Sequence, residues 1–220
     1  MPRNIQKNSL IIACDGEAAS GKSTGAKLIS KKYNLLLINS GLFYRYASKI
    51  ILKDKPKNII PYLEKKFKRI SYKKITKLNL NTQEISDHVG FLAKKKKIRI
   101  IINRMQKSII KKNNRICVEG RDIASNILKK NPRYHIAFYF ICNIKIASYR
   151  RWLDLKKKIP LRNVKSSLLQ RTKLDKNRYH SPLKKVDDAI LIKTHKLNKT
   201  QMLNKMIKEI EKTKNKYNNF

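Results

Sequence analysis

Leu10-Ile-Ile-Ala-Cys-Asp-Gly-Glu-Ala-Ala-Ser-Gly-Lys-Ser-Thr24 is the stretch that decides the fold of this 220-residue chain. Its first five residues are apolar, as in a strand buried on both faces. Residues 16–23 match the pattern G-x-x-x-x-G-K-[ST], and residues 23–32 can form a helix. In this pattern the glycines let successive N–H groups face one anion, and the helix N-terminus adds its positive dipole end. The stretch therefore predicts a strand, a phosphate-binding loop and a helix.

The loop predicts a site for a nucleoside triphosphate with Mg²⁺. Lys22 is expected to reach the β- and γ-phosphates, and the Ser23 hydroxyl is expected to help hold Mg²⁺. The alternative is a glycine turn that carries a lysine by chance, but the flanking strand and helix favour the phosphate site. The predicted ATP-binding residues are Gly16, Glu17, Ala18, Ala19, Ser20, Gly21, Lys22, Ser23 and Thr24. The motif identifies a phosphoryl donor and leaves the acceptor open.

Four further apolar runs, at residues 35–38, 116–118, 135–141 and 189–192, are separated by stretches with helical patterns. Such alternation predicts an α/β fold in which a five-stranded parallel sheet has helices on both faces. Residues 53–81 do not fit the alternation and are expected to form an excursion from the core. Residues 91–112 read as one long basic helix with Leu92, Ile98, Ile101 and Ile102 as its apolar stripe.

The chain is strongly basic, with 54 basic and 14 acidic residues and a net charge of +40. Only 13 of the basic residues are arginines; the 41 lysines are scattered along the whole chain. This spread favours a solvated cationic surface over a nucleic-acid-binding stripe. The three cysteines match neither a disulfide framework nor a zinc site, and no apolar stretch is long enough for a bilayer. A monomeric cytoplasmic protein with no specific nucleic-acid or membrane partner is expected.

Beyond the loop, several segments resemble the bacterial cytidylate kinases. Asn39-Ser-Gly-Leu-Phe-Tyr-Arg45 is similar to the D-S-G-x-x-Y-R segment of that family, and Gly120-Arg-Asp122 to its G-R-D motif. Arg171-x-x-x-Asp175-x-Asn177-Arg178, followed by Ser181-Pro-Leu183, resembles the closing motif. Asn81-Thr-Gln-Glu84, Arg99 and Arg104-Met-Gln106 also occur in the family's order. The resemblance extends over nearly the whole chain.

The resemblance implies a P-loop nucleoside monophosphate kinase that transfers the γ-phosphoryl group of ATP to CMP or dCMP. It implies one three-layer kinase domain over residues 1–220, with a core at 8–40, 113–146 and 164–213, an insert that binds the monophosphate at about 41–112, and a short lid at about 147–163. Arg45, Arg121 and Arg178 would bind the acceptor phosphate, with Tyr44 nearby. Arg171 and Asp175 would contact the ribose, and Arg99 and Asp122 the cytosine.

The remaining assignments also come from the resemblance. The implied acceptor site is completed by Ser40 and Gly90, and Arg150 and Arg151 would belong to the lid. The groups assigned to catalysis are Lys22, Arg121, Arg178, Arg150 and Arg151. Such cations suit the chemistry, because an arginine fork binds phosphate oxygens in pairs and neutralises charge on the transferring group. Asp122 has a structural alternative, which is to cap a helix that starts near Ile123.

The match departs from the family at several positions. Glu17 stands where proline is usual, Asn39 where aspartate is usual, and Gly90 where a serine commonly contacts the nucleotide. Ala124-Ser125 replaces a common Gly-Thr, and residues 53–81 are shorter than in many members. A missing polar contact at Gly90 leaves the preference among CMP, dCMP and UMP open. The alternatives are an adenylate, shikimate or thymidylate kinase, or a basic nucleic-acid-binding NTPase.

Overall fold

A five-stranded parallel sheet forms the centre of the fold, as the apolar runs predict. The computed structural model describes residues 9–216, so residue 8 of the predicted core lies outside the described residues. The strands are β1 (Leu10–Gly16), β2 (Leu36–Asn39), β3 (Arg115–Gly120), β4 (Ile136–Ile141) and β5 (Ile190–Lys193), in the spatial order β2-β3-β1-β4-β5. Because parallel strands end at one edge, residues that follow β1 and its neighbours β3 and β4 meet there.

Helices connect the strands and fill the long segment between β2 and β3. They are α1 (Lys22–Lys32), α2 (Ser40–Asp54), α3 (Ile59–Arg69), α4 (Tyr72–Thr76), α5 (Gln83–Leu92), α6 (Lys96–Lys111), α7 (Ile144–Asp154), α8 (Leu161–Asn177) and α9 (Lys199–Lys216). A π-helical turn follows β3 at Ile123–Ile127, and a 3₁₀ turn follows β5 at Thr194–Lys196. Among residues 9–216 no helix is both long enough and apolar enough to cross a bilayer.

The prediction of one helix over residues 91–112 is wrong. Phe91 and Leu92 end α5, the chain is extended at Lys95, and α6 begins at Lys96. In a continuous helix Leu92 and Ile98 would point roughly 120° apart, at 100° per residue. The break lets both side chains be fully buried. No glycine or proline stands at residues 93–95, so the sequence gives no local sign of it.

Two compact units divide the described chain, one up to Ile38 and from Asn113 onward, the other Asn39–Lys112. In the first unit, Ile12 and Cys14 of β1 pack with Ile29 of α1 and Met206 of α9, covering one face of the sheet. In the second unit α2 packs on α5, and α3 on α6. Tyr46 and Phe67 meet edge to face there, with ring centroids 5.4 Å apart. Each unit therefore has its own apolar interior.

Candidate active site

The loop between β1 and α1 has the backbone of an anion-binding turn. Ala19 and Gly21 both have left-handed conformations, with φ of 53° and 79°, and α1 begins at Lys22 without an acidic residue in its first turn. Alternating conformations of this kind turn successive N–H groups toward one side, and the start of α1 adds its dipole. The loop can therefore bind phosphate, as the motif predicts.

Two elements of the first unit brace this loop. The backbone N–H of Glu17 donates to the Phe140 carbonyl at 3.2 Å, and a Cβ on Gly16 would collide with that same carbonyl and lie 2.8 Å from the Phe140 Cβ. On the other side the buried Thr194 Oγ1 donates to the Ser20 carbonyl at 2.9 Å. The loop conformation thus depends on β4 and on the turn after β5, and nothing near Thr194 in the sequence indicates its role.

Lys22 lies among other charged groups. Burial, followed by the positive charge of Arg121, lowers the pKa of Lys22 from 10.5 to about 7, while Glu119 acts in the opposite direction. Arg171, which is half-buried on α8, also lowers it, and Asp175 raises it. A bound anion would reverse this shift, because an opposite charge favours the ammonium form. The site is therefore set up for a negatively charged ligand.

An ionic cluster joins four of the predicted site residues beside the loop. The Arg121 Nε lies 3.1 Å from Asp175 Oδ2. Arg178 spans two carboxylates, with Nη1 at 3.4 Å from Asp175 Oδ1 and Nη2 at 3.2 Å from Asp122 Oδ1. Arg121 also donates to the carbonyl of Gly16. The cluster brings together the residues after β3 and those at the end of α8, and it connects them to the phosphate loop.

Asp15, the last residue before the loop glycine, is a buried residue whose role the motifs do not reveal. Its Oδ1 accepts from the Ile123 N–H and its Oδ2 from the Ala124 N–H, both at 2.8 Å. Burial raises the pKa of Asp15 from 3.8 to about 7 in spite of these hydrogen bonds. The expected alternative for Asp122, a cap on this turn, does not occur, because the Asp122 side chain makes no cap hydrogen bond. Asp15 binds those N–H groups instead.

Glu119 is a second buried acid that the motifs do not identify. It lies on β3 opposite Cys14 of β1, and its Oε2 has no hydrogen-bond partner within the described structure. Its position at the carboxyl end of a buried strand, just before Gly120-Arg121, is the sequence feature that could have identified it. Within residues 9–216 no three His, Cys, Asp or Glu side chains converge as a metal centre. A divalent ion here would need oxygens from a bound nucleotide as further ligands.

The other acceptor residues expected from the resemblance lie in the second unit. Ser40 starts α2 and is buried. The guanidinium of Arg45 donates to the Leu80 carbonyl at 3.0 Å and to Ser86 Oγ at 2.9 Å. Arg99 is buried and lies 5.8 Å from the ring of Tyr44. Tyr44 and Arg99 are thus neighbours, whereas Arg45 is held by a different set of partners.

Gly90 on α5 is exposed, and a Cβ built on it would meet no atom within 4 Å. The backbone and packing therefore do not require a glycine here. In the family that the sequence resembles, a serine usually stands here. The open space around Gly90 means that this chain could accept a serine side chain as well.

The two arginines predicted for a lid lie on α7. Arg150 donates to the Thr194 carbonyl at 3.3 Å, which connects α7 to the turn that braces the loop. Arg151 is half-buried on the same helix. The segment predicted as a lid comprises most of α7, a short connection and the start of α8, and α7 packs against α8.

Comparisons with known proteins identify the family to which the chain is similar. The family model described as "Cytidylate kinase" matches residues 12–212. A cytidylate kinase from Clostridium botulinum (strain Okra) is 33% identical over 218 residues, covering 91% of this chain and 97% of that protein. One from Fusobacterium nucleatum is 32% identical over 224 residues, covering 94% and 100%. In structure, an uncharacterized protein from Eubacterium ventriosum aligns with a TM-score of 0.56 at 18% identity over 92% of this chain and 98% of its own.

Proposed function

The chain belongs to the cytidylate kinase family, and we propose that it transfers the γ-phosphoryl group of ATP to CMP or dCMP, giving ADP and CDP or dCDP. The observation that carries the proposal is the cluster of Arg121, Asp122, Asp175 and Arg178 beside the phosphate loop. One set of charges thus connects the donor loop to residues that the family motifs assign to the acceptor.

On the donor side, the loop N–H groups and Lys22 would bind the triphosphate. The left-handed Ala19 and Gly21 turn the loop backbone. Burial, followed by the charge of Arg121, lowers the pKa of Lys22, and a bound anion would stabilise its charged form. Mg²⁺ would neutralise charge on the β- and γ-phosphates when bound. The oxygens that fit such an ion are the hydroxyl of Ser23 at the start of α1 and the carboxylate of the buried Glu119, whose Oε2 has no hydrogen-bond partner among residues 9–216.

On the acceptor side, a nucleoside monophosphate already carries an anionic oxygen, so the reaction needs no general base. It needs cations held in fixed orientations. Asp175 fixes both Arg121 and Arg178, and Asp122 holds the other side of the Arg178 fork. These carboxylates keep the two guanidinium groups in the geometry that would receive phosphate oxygens.

The remaining roles rest on the family motifs. We assign Arg171 to the ribose, Ser40, Tyr44, Arg45, Gly90 and Arg99 to further contacts with the acceptor, and Arg150 and Arg151 to a lid. Arg99 is buried next to Tyr44 and donates to the Ala93 carbonyl at 3.3 Å, so the protein holds it in place and its assignment rests on the family motifs. A monomeric state and a cytoplasmic location remain predictions of the sequence.

The test is a coupled assay of ADP release with CMP, dCMP, UMP and AMP. K22A should lose about 100-fold or more of its turnover with every acceptor, as loss of a transition-state cation does. D175N should raise the KM for CMP about tenfold, because it loosens Arg121 and Arg178, and should change the ATP dissociation constant much less. D188N, which removes an exposed carboxylate paired with Arg133, is the matched control. Equal turnover of AMP and CMP by the wild-type chain would refute the proposal.

A further inference from the structure

Glu17 places a carboxylate inside the loop that is to bind a triphosphate. Its backbone is part of the loop, because its N–H donates to Phe140 and its carbonyl accepts from the Ser20 N–H at 3.3 Å. Its side chain is 23% exposed. A negative charge at this place opposes the binding of another anion, and the resembling family usually has an uncharged proline here. Something in this chain must offset that charge if the loop binds ATP well.

Lys176 provides the compensating charge. Its Nζ lies 2.6 Å from Glu17 Oε1, which is the distance of a charge-assisted hydrogen bond. The lysine comes from the last turn of α8, far away in sequence. Its neighbour Asp175 turns the other way and holds Arg121, which in turn donates to the carbonyl of Gly16. Two adjacent residues of α8 therefore connect to two adjacent residues at the start of the loop.

We propose that Lys176 is a positioning residue for ATP binding: it neutralises Glu17 and holds that carboxylate away from the triphosphate. The inference rests on the proposed function only in taking the loop as the ATP site. The pair is partly open to solvent, with 46% of the Lys176 side chain exposed. Because solvent partly screens this pair, the loss of Lys176 should weaken ATP binding by a factor on the order of a few-fold.

The alternative is that Lys176 contributes only through the general field of a chain with a net charge of +40. In that case the loss of any lysine on α8 should weaken ATP binding equally. Lys173 is exposed on α8 about one turn earlier, so K173Q removes the same charge from the same helix. The comparison of K176Q with K173Q separates a specific pair from a general field.

The experiment is titration calorimetry of MgATP into the full chain without an acceptor, with K176Q, K173Q, E17Q and the double variant E17Q/K176Q. K176Q should raise the ATP dissociation constant about threefold at low salt, as exposed charge pairs do. K173Q should change it much less, E17Q should not raise it, and the double variant should return close to wild type. The effect of K176Q should shrink as salt rises, because screening weakens the repulsion by Glu17.

Equal effects of K176Q and K173Q, or no recovery in the double variant, would overturn the inference. If K176Q unfolds, E17Q carries the test: it removes the same pair, and a higher ATP dissociation constant in E17Q would contradict the proposal. Thermal unfolding of each variant identifies losses that are only structural. Because no acceptor is present, a failure to phosphorylate CMP would refute the proposed function and leave this measurement intact.

Discussion

Asp15 should make the stability of this protein depend on pH in a way that one substitution removes. The carboxyl group is buried and its pKa is raised from 3.8 to about 7, mainly by burial, with Asp122 raising it further and Lys22 lowering it. An acid whose pKa is higher in the folded state binds more protons there than in the unfolded chain. The stabilisation that follows from this pKa difference of Asp15 is complete below pH 3.8 and is lost as the pH rises to about 7.

The magnitude follows from the width of that interval. Each pH unit between the two pKa values changes the free energy of unfolding by about 1.36 kcal/mol. Between pH 4.5 and 7 the wild-type chain should lose about 3 kcal/mol relative to D15N, which cannot titrate. D15N also replaces one acceptor by an amide NH₂ facing an N–H, with a cost of about 1–3 kcal/mol that does not depend on pH.

The assay is urea unfolding followed by circular dichroism at half-unit steps from pH 4.5 to 8. The difference in unfolding free energy between wild type and D15N cancels the titration of the groups that do not interact with Asp15. D188N, which removes an exposed carboxylate, serves as the control for loss of one acid. A wild-type-minus-D15N difference that stays constant across this range would show that Asp15 is ionised throughout and would refute the reasoning.

Three further predictions concern the walls of the site. G16A should destabilise the fold by about 1–3 kcal/mol, because its Cβ would strike the Phe140 backbone, and should abolish ATP binding by calorimetry; normal ATP affinity would contradict this. T194V removes the hydroxyl that donates to Ser20 and should cost about 1–2 kcal/mol in urea unfolding and raise the KM for ATP, whereas T200V, at an exposed position of α9, should do neither. G90S should leave stability within about 0.5 kcal/mol of wild type and increase the ratio of kcat/KM for CMP over UMP; an unchanged ratio would show that this position does not contact the base.

Features that depend on residues close together in the sequence could be predicted from it. The strand at Leu10–Gly16 is an apolar run that must be buried on both faces, and the loop after it has glycines and a lysine at fixed spacing. Both signals are contained within 15 residues. The interruption between α5 and α6 could not be predicted, because Ala93, Lys94 and Lys95 are all compatible with a helix. It results from the need to bury both Leu92 and Ile98, which only the packing reveals.

The sequence motifs do not indicate Asp15 and Thr194, which position the site, for a related reason. Asp15 binds N–H groups 108 and 109 residues later in the chain, and Thr194 binds a carbonyl 174 residues earlier. No spacing rule connects such pairs. The aspartate could be found only by asking why an acid ends an apolar strand, since a buried carboxylate needs nearby donors. The arginines were easier to identify because they belong to compact motifs.

The distribution of acidic residues explains why a chain with so many lysines still has a defined anion site. Five of its 14 acids are found at this end of the first unit: Asp15, Glu17, Glu119, Asp122 and Asp175. In a chain with 54 basic residues, positive charge attracts phosphate over the whole surface. Positive charge alone therefore does not define one binding site. Carboxylates are scarce, and each of the three that contact Arg121, Arg178 or Lys176 fixes the direction of a cation. Removing Asp122 or Asp175 should therefore impair the site more than removing a surface lysine that contacts no carboxylate, although it makes the chain more positive.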